Sequence, residues 1–210
     1  KNLTTMQLPG GGWTARHDEI KWALHRRMKM ARLGSACEVN NLFKATLRQD
    51  SMEDLQQTPR RERQGLVPDF LFTMENGERM LADVKTMTAG EKYIKAADNR
   101  RNWAVKLRQD QVTRECHAHA KKLDIKYNST TTQQVGPCET KLRNYGRVRG
   151  LIFGAFGELS HDTHEIVEKI GESQALRDWR VMGSRTPLEA RAVLVETIIN
   201  DLSLITLRSH

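Results

Sequence analysis

The sequence predicts an α/β or α+β single domain built on a small mixed central sheet flanked by helices. Three observations carry that prediction. Ile20, Leu24, Met28 and Ala31 recur at helical spacing. Two β-rich runs, Leu66 to Phe72 and Arg79 to Lys85, flank an Asn76-Gly77 turn. The apolar run Leu151-Ile152-Phe153 follows a long polar helix and precedes further helical segments. The order helix, strands, long helix, strand, helices suits one sheet packed between helices.

Each element has its own signal. Residues 1–14, with Pro9-Gly10-Gly11-Gly12, read as a flexible lead-in, and 15–210 as one domain. The first helix runs from His17 to about Leu33, with Lys21, Arg26, Lys29 and Arg32 outside its apolar stripe and Gly34 as its stop. Residues 36–43 read as a strand, and 48–64 as a loop or short exposed helix. After the hairpin, residues 91–123 form a basic helix, continuous or broken. Residues 128–137 are a Thr-rich loop ending in Gly-Pro. A buried strand over 149–157 runs into glycines, a helix covers 161–170, and the most apolar helix covers 187–207. That last helix is apolar nearly all round, which predicts burial in the core, or else docking on a second subunit or a missing neighbouring domain.

Composition narrows the class. The 210 residues include 34 Lys and Arg against 26 Asp and Glu, a net charge of +8. Hydrophobic residues make up 38% and charged ones 29%, which suits a folded domain rather than a disordered chain. No apolar run approaches the ~20 residues of a membrane-spanning helix, and nothing at the start resembles a signal peptide. The positive excess favours polyanionic partners, although charge alone serves a merely basic protein equally well. Cys37, Cys116 and Cys138 form no even disulfide framework, which points to a reducing intracellular compartment, with the nucleus compatible. A chain that begins at Lys1 rather than Met is expected to be a fragment.

The hairpin carries the chemistry. Around a turn near residue 77, Asp69 and Asp83 lie opposite each other at the open end. Two adjacent carboxylates repel unless a cation lies between them, and a hard, oxygen-ligated Mg²⁺ or Mn²⁺ suits that place. Lys85 is two residues beyond Asp83 and shares its face. Its ammonium can orient water or steady charge on a phosphoryl group. The plain alternative is a solvated surface Asp–Lys pair; against it, Asp83 and Lys85 sit in a run that is otherwise apolar.

Pro68-Asp69 and Asp83-Val84-Lys85 resemble the motifs of the PD-(D/E)XK (restriction-endonuclease-like) nuclease superfamily, with Asp83 where Glu is commoner. The resemblance covers mainly residues 15–95 and depends on its helix–strand–hairpin context. It implies a restriction-endonuclease-like core and a further ligand on the helix before the hairpin. His17, in Arg16-His17-Asp18-Glu19, shares the apolar face and points inward, whereas Glu19 is rotated by roughly 200°. A histidine on such a stripe is more often a core or capping residue. Glu38 is the better second acidic candidate and Glu19 the reserve. The layout His17, Glu38, Asp69, Asp83, Lys85 is similar to that of viral cap-snatching endonucleases, which cut RNA. It is also similar to that of the restriction-like endonucleases of mobile elements, which nick DNA. Arg16-His17-Asp18 and the 148–157 run favour the second group.

Other motifs are weaker. Cys116, His117, His119, Cys138, His161 and His164 match no standard zinc spacing. Gly154 to Gly157 lacks a phosphate-loop pattern and reads as a tight strand exit. Lys92, Lys95, Arg100, Arg101, Lys106 and Arg108 can track a phosphate backbone, or simply form a solvated helix face. The expectation is therefore a Mg²⁺- or Mn²⁺-dependent endonuclease. Asp69, Asp83 and Lys85 are its catalytic residues, with His17 and Glu38 added as metal ligands, and DNA is favoured over RNA. The alternatives are a cap-snatching type of RNA endonuclease or a catalytically silent nucleic-acid-binding module. No membrane partner is expected, and a homodimer is compatible.

Overall fold

Alternation along the strands sorts the side chains into two layers. A computed structural model describes residues 12–39, 42–43, 46, 68–87 and 101–208, with the side chains of 12–14 and 101–103 left aside. The first helix, α1 (Gly12–Met30), leads into β1 (Gly34–Cys37). The hairpin of β2 (Phe70–Thr73) and β3 (Arg79–Thr86) follows. Then come α2 (Arg101–Tyr127), α3 (Pro137–Arg143), β4 (Arg149–Phe153), α4 (His161–Asp178) and α5 (Pro187–Arg208). The protein is thus mixed α/β, with a four-stranded sheet ordered β1-β2-β3-β4. The first three strands are antiparallel and β4 is parallel to β3.

Phe70, Phe72, Met80, Ala82 and Val84 face Ile20, Leu24 and Met28 of α1, with Ile166 and Ile170 of α4 and Ile198 of α5 in the same core. On the other face, Leu81 and Ile152 pack with Val105, Val112, Ala120 and Leu123 of α2 and with Cys138 and Leu142 of α3. By the period of two, Asp69, Asp83 and Lys85 share the α2 side with Leu81. The hairpin turns where expected: Gly77 takes a φ of +80°, and the Asn76 side chain accepts from the Glu78 N–H at 2.9 Å.

Several boundaries differ from the sequence expectation. Helix α1 opens at Gly12, inside the expected lead-in, and ends at Met30. Arg32 then turns the chain at a φ of +58°, so Gly34 opens β1 rather than only stopping the helix. β1 spans Gly34–Cys37 rather than 36–43. The expected 128–137 loop is followed by α3, whose amides at Cys138 and Glu139 are capped by the buried Asp124 carboxylate, both at 2.9 Å. α4 continues to Asp178. In α5, Ala190, Leu194, Ile198 and Leu202 are buried, while Leu188, Val193, Leu204 and Leu207 are exposed. The expected lead-in up to residue 11, the 48–64 loop and the start of the basic helix at 91–100 lie outside the described residues. Among the described residues, no helix is long and apolar enough to cross a membrane.

Candidate active site

Strand pairing sets the site. The β2–β3 register pairs Phe70 with Ala82; continuing it by one residue puts Asp69 opposite Asp83. On the other side of β3, Asp83 pairs with Gly150 and Lys85 with Ile152. A Cβ on Gly150 would stand 3.0 Å from the Cα and carbonyl oxygen of Gln109. The missing side chain therefore lets α2 lie close over β4, beside Asp83.

The Asp69 carboxylate is mostly buried. It accepts the Val84 N–H at 2.8 Å through Oδ2, and the same oxygen is 3.1 Å from His17 Nε2. Burial alone would raise the Asp69 pKa, but the His17 hydrogen bond and charge, the Val84 amide and Lys85 overcome it and hold Asp69 below its ordinary value. Asp83 goes the other way. Burial first, then the neighbouring Asp69, push it up to about 6, against the opposing pull of Lys85. The Lys85 ammonium lies 2.6 Å from Asp83 Oδ2. Burial lowers the Lys85 pKa, but Asp83 more than offsets that, so Lys85 is raised and stays charged.

The network continues onto α1. His17 Nδ1 is 3.3 Å from Asp18 Oδ1. Burial depresses the His17 pKa, but Asp69 and Asp18 outweigh it and raise it. Lys21 reaches Asp18 at 3.0 Å and Glu38 at 2.8 Å, with its side chain only 3% exposed. An unbroken path of ionic hydrogen bonds thus links Glu38, Lys21, Asp18, His17 and Asp69.

The predicted site residues are placed as follows. Asp69, Asp83, Lys85 and His17 come together. Glu38 is near in the backbone, since its N–H donates to the Asp69 carbonyl at 2.9 Å. Its side chain turns to Lys21, from a residue with a φ of +51°. Lys106 is exposed on α2, and Arg108 is paired with Glu115 at 2.5 Å. Lys92, Lys95, Arg100 and the Arg101 side chain lie outside the described residues. Sequence reasoning missed Asp18 and Lys21. Helical phase puts Lys21 outside the apolar stripe, yet it is buried, because Glu38 and Asp18 supply its counter-charges. The signal available was Lys21 itself, one turn past His17 and three residues after Asp18.

Cys116 of α2 also borders the carboxylates: burial, then Asp83, push its thiol up to about 12. The Asp69–Asp83 pair suits a hard divalent cation, because a cation between two contacting carboxylates offsets both their burial and their mutual repulsion, which together raise Asp83. Among the described residues, no three His, Cys, Asp or Glu side chains are grouped so as to hold a metal ion. A cation here would therefore rest on two protein carboxylates, with its remaining positions open to water or substrate. No protein-family model, no curated protein and no solved structure matches the chain.

Proposed function

We propose that the chain is a divalent-metal-dependent endonuclease that hydrolyses phosphodiester bonds, of DNA in preference to RNA, on a restriction-endonuclease-like core. The observation that carries this reading is the meeting of Asp69, Asp83 and Lys85 across one hairpin, with Asp83 pushed up to about 6. A carboxyl in that state gains most from a cation. The helix–strand–hairpin context on which the resemblance depends is present as α1, β1 and β2–β3. The resemblance to mobile-element endonucleases is what favours DNA.

Mg²⁺ or Mn²⁺ held by Asp69 and Asp83 would polarise the scissile phosphate and lower the pKa of water. The chain's own residues prepare the place. His17 and the Val84 N–H keep Asp69 ionised, so the proton that the pair takes up as pH falls through about 6 goes to Asp83, and a cation would compete with it. Lys85 neutralises Asp83 and keeps an ammonium beside the attacked phosphate. His17 and Glu38 can act as ligands only after leaving Asp69 and Lys21.

The test uses supercoiled plasmid DNA and single-stranded RNA, each with Mg²⁺, with Mn²⁺ or with chelator. The expected outcome is metal-dependent nicking of DNA that falls by about 10²–10³ in Asp83→Ala and Lys85→Ala. Cutting of neither substrate, or cutting unchanged in Asp83→Ala, would refute the enzyme. Selective RNA cutting would overturn the substrate.

A further inference from the structure

Helix α1 has an outward flank that runs on from the carboxylate network. Asp18, which belongs to that network, is followed at i+4, i+7 and i+11 by Trp22, His25 and Lys29, with Arg26 beside them. Trp22 is 46% exposed, although a ring of that size usually buries most of its surface. Its edge meets the His25 ring at 5.6 Å between centroids, and the Lys21 ammonium stands 5.9 Å from its centre. His25 is fixed in turn by the Ser35 hydroxyl of β1, 3.0 Å from Nδ1. Arg26 and Lys29 are exposed and form no ion pair among the described residues. The acidic residues of α1, Asp18 and Glu19, both lie at the end nearer the carboxylates. The stripe begins at Asp18, which bonds His17, and runs about 16 Å away from it.

We propose that this flank of α1 is the nucleic-acid track of the site: an unpaired stretch of the DNA strand stacks a base on Trp22 and lays its phosphates on Arg26 and Lys29. The proposal rests on the endonuclease reading for its partner. An exposed, braced indole beside two exposed cations without an ion-pair partner among the described residues is the chemistry of a single-strand platform, and the hydrogen-bonded path through Asp18 and His17 leads from the same helix to Asp69. The length covers several phosphates at roughly 3.4 Å per base step in a duplex and fewer in an extended single strand. Here α1, rather than the basic α2, carries the strand.

Binding is read by fluorescence anisotropy of the full chain in chelator, with a labelled single-stranded DNA 20-mer (an arbitrary probe length of about 20) and its duplex, over a range of NaCl. Trp22→Ala is expected to weaken single-strand binding about tenfold and duplex binding far less. Arg26→Glu with Lys29→Glu is expected to weaken both and to flatten the log–log salt slope by about 1.4 for the single strand and about 1.8 for the duplex. Arg180→Glu with Arg185→Glu is the charge-matched control, expected to bind within about twofold of the parent. Parent-like binding by the α1 variants, or an equal loss in the control, would overturn the proposal. So would a change of oligomeric state in Trp22→Ala by light scattering, which would assign the flank to a second copy of this chain. Because the readout needs no metal, it separates the two readings. A chain that binds through α1 but never cuts retains this surface. One that cuts through Asp83 while the α1 variants bind normally loses it.

Discussion

Asp83 is the residue on which the site's energetics turn. Its carboxyl is raised to about 6 from the usual 3.8. The fold therefore binds a proton between those values that the unfolded chain has already released. Stability from this group is complete below about pH 4 and is lost as pH rises through 6, by roughly 3 kcal/mol. His17, also raised, acts in the same sense: its contribution is present below its unfolded value of 6.5 and is lost as pH rises through its folded value. Asp69, lowered, acts oppositely and loses its contribution only as pH falls below its ordinary range. Asp83→Asn, a neutral mimic of the protonated acid, is accordingly expected to stabilise the metal-free protein at pH 8 by up to ~3 kcal/mol and to change nothing near pH 4. Thermal melts across that range in chelator check it; a gain at pH 4 as large as at pH 8 would contradict the assignment. Lys21 makes the complementary case. Buried between Asp18 and Glu38, it leaves two carboxylates uncompensated when replaced. Lys21→Met is expected to cost about 1–3 kcal/mol, and Glu38→Gln with Lys21→Met to recover part of that loss in a double-mutant cycle.

Among the elements, α2 and β4 approach closely beside Asp83, and Gly150 permits it. A methyl there meets Gln109 backbone at 3.0 Å, and backbone does not yield as a flexible side chain does. Gly150→Ala is expected to lower stability by about 1–3 kcal/mol in urea unfolding and to weaken any cutting with it, since Gly150 pairs with Asp83. The hairpin could be read because its determinants are local: alternating apolar residues, Asn76, and a Gly77 able to take positive φ. The helix α3 was not legible because its cap is remote. Asp124, in the last turns of α2, supplies the acceptors for Cys138 and Glu139, and no short-range pattern announces that. Asp124→Ala is expected to cost about 2–4 kcal/mol, and loss of protection at the amides of Cys138 and Glu139 in hydrogen exchange would locate the damage.

At the scale of the whole molecule, the excess of cations and the carboxylate pair pull in different directions, and under the proposed function a divalent ion would reconcile them. Mn²⁺ at a hundred times its Kd is expected to stabilise the parent by about 2.7 kcal/mol and Asp83→Asn by much less; chelator should erase the difference seen in melts. The sequence by itself determined the hairpin, its register, the shared face of Asp69, Asp83 and Lys85, and the inward phase of His17. Each of these follows from a strand period of two or a helix period of 3.6 acting over one or two elements. Tertiary structure alone decided that β4 runs parallel to β3 under α2, that Glu38 turns to Lys21, and that Trp22 remains half exposed. Those outcomes depend on how α1 docks against β1 and how α2 crosses the sheet. Docking is decided by the packing of two separate cores and by which buried charge finds a counter-charge, and neither is encoded in the spacing of any one segment.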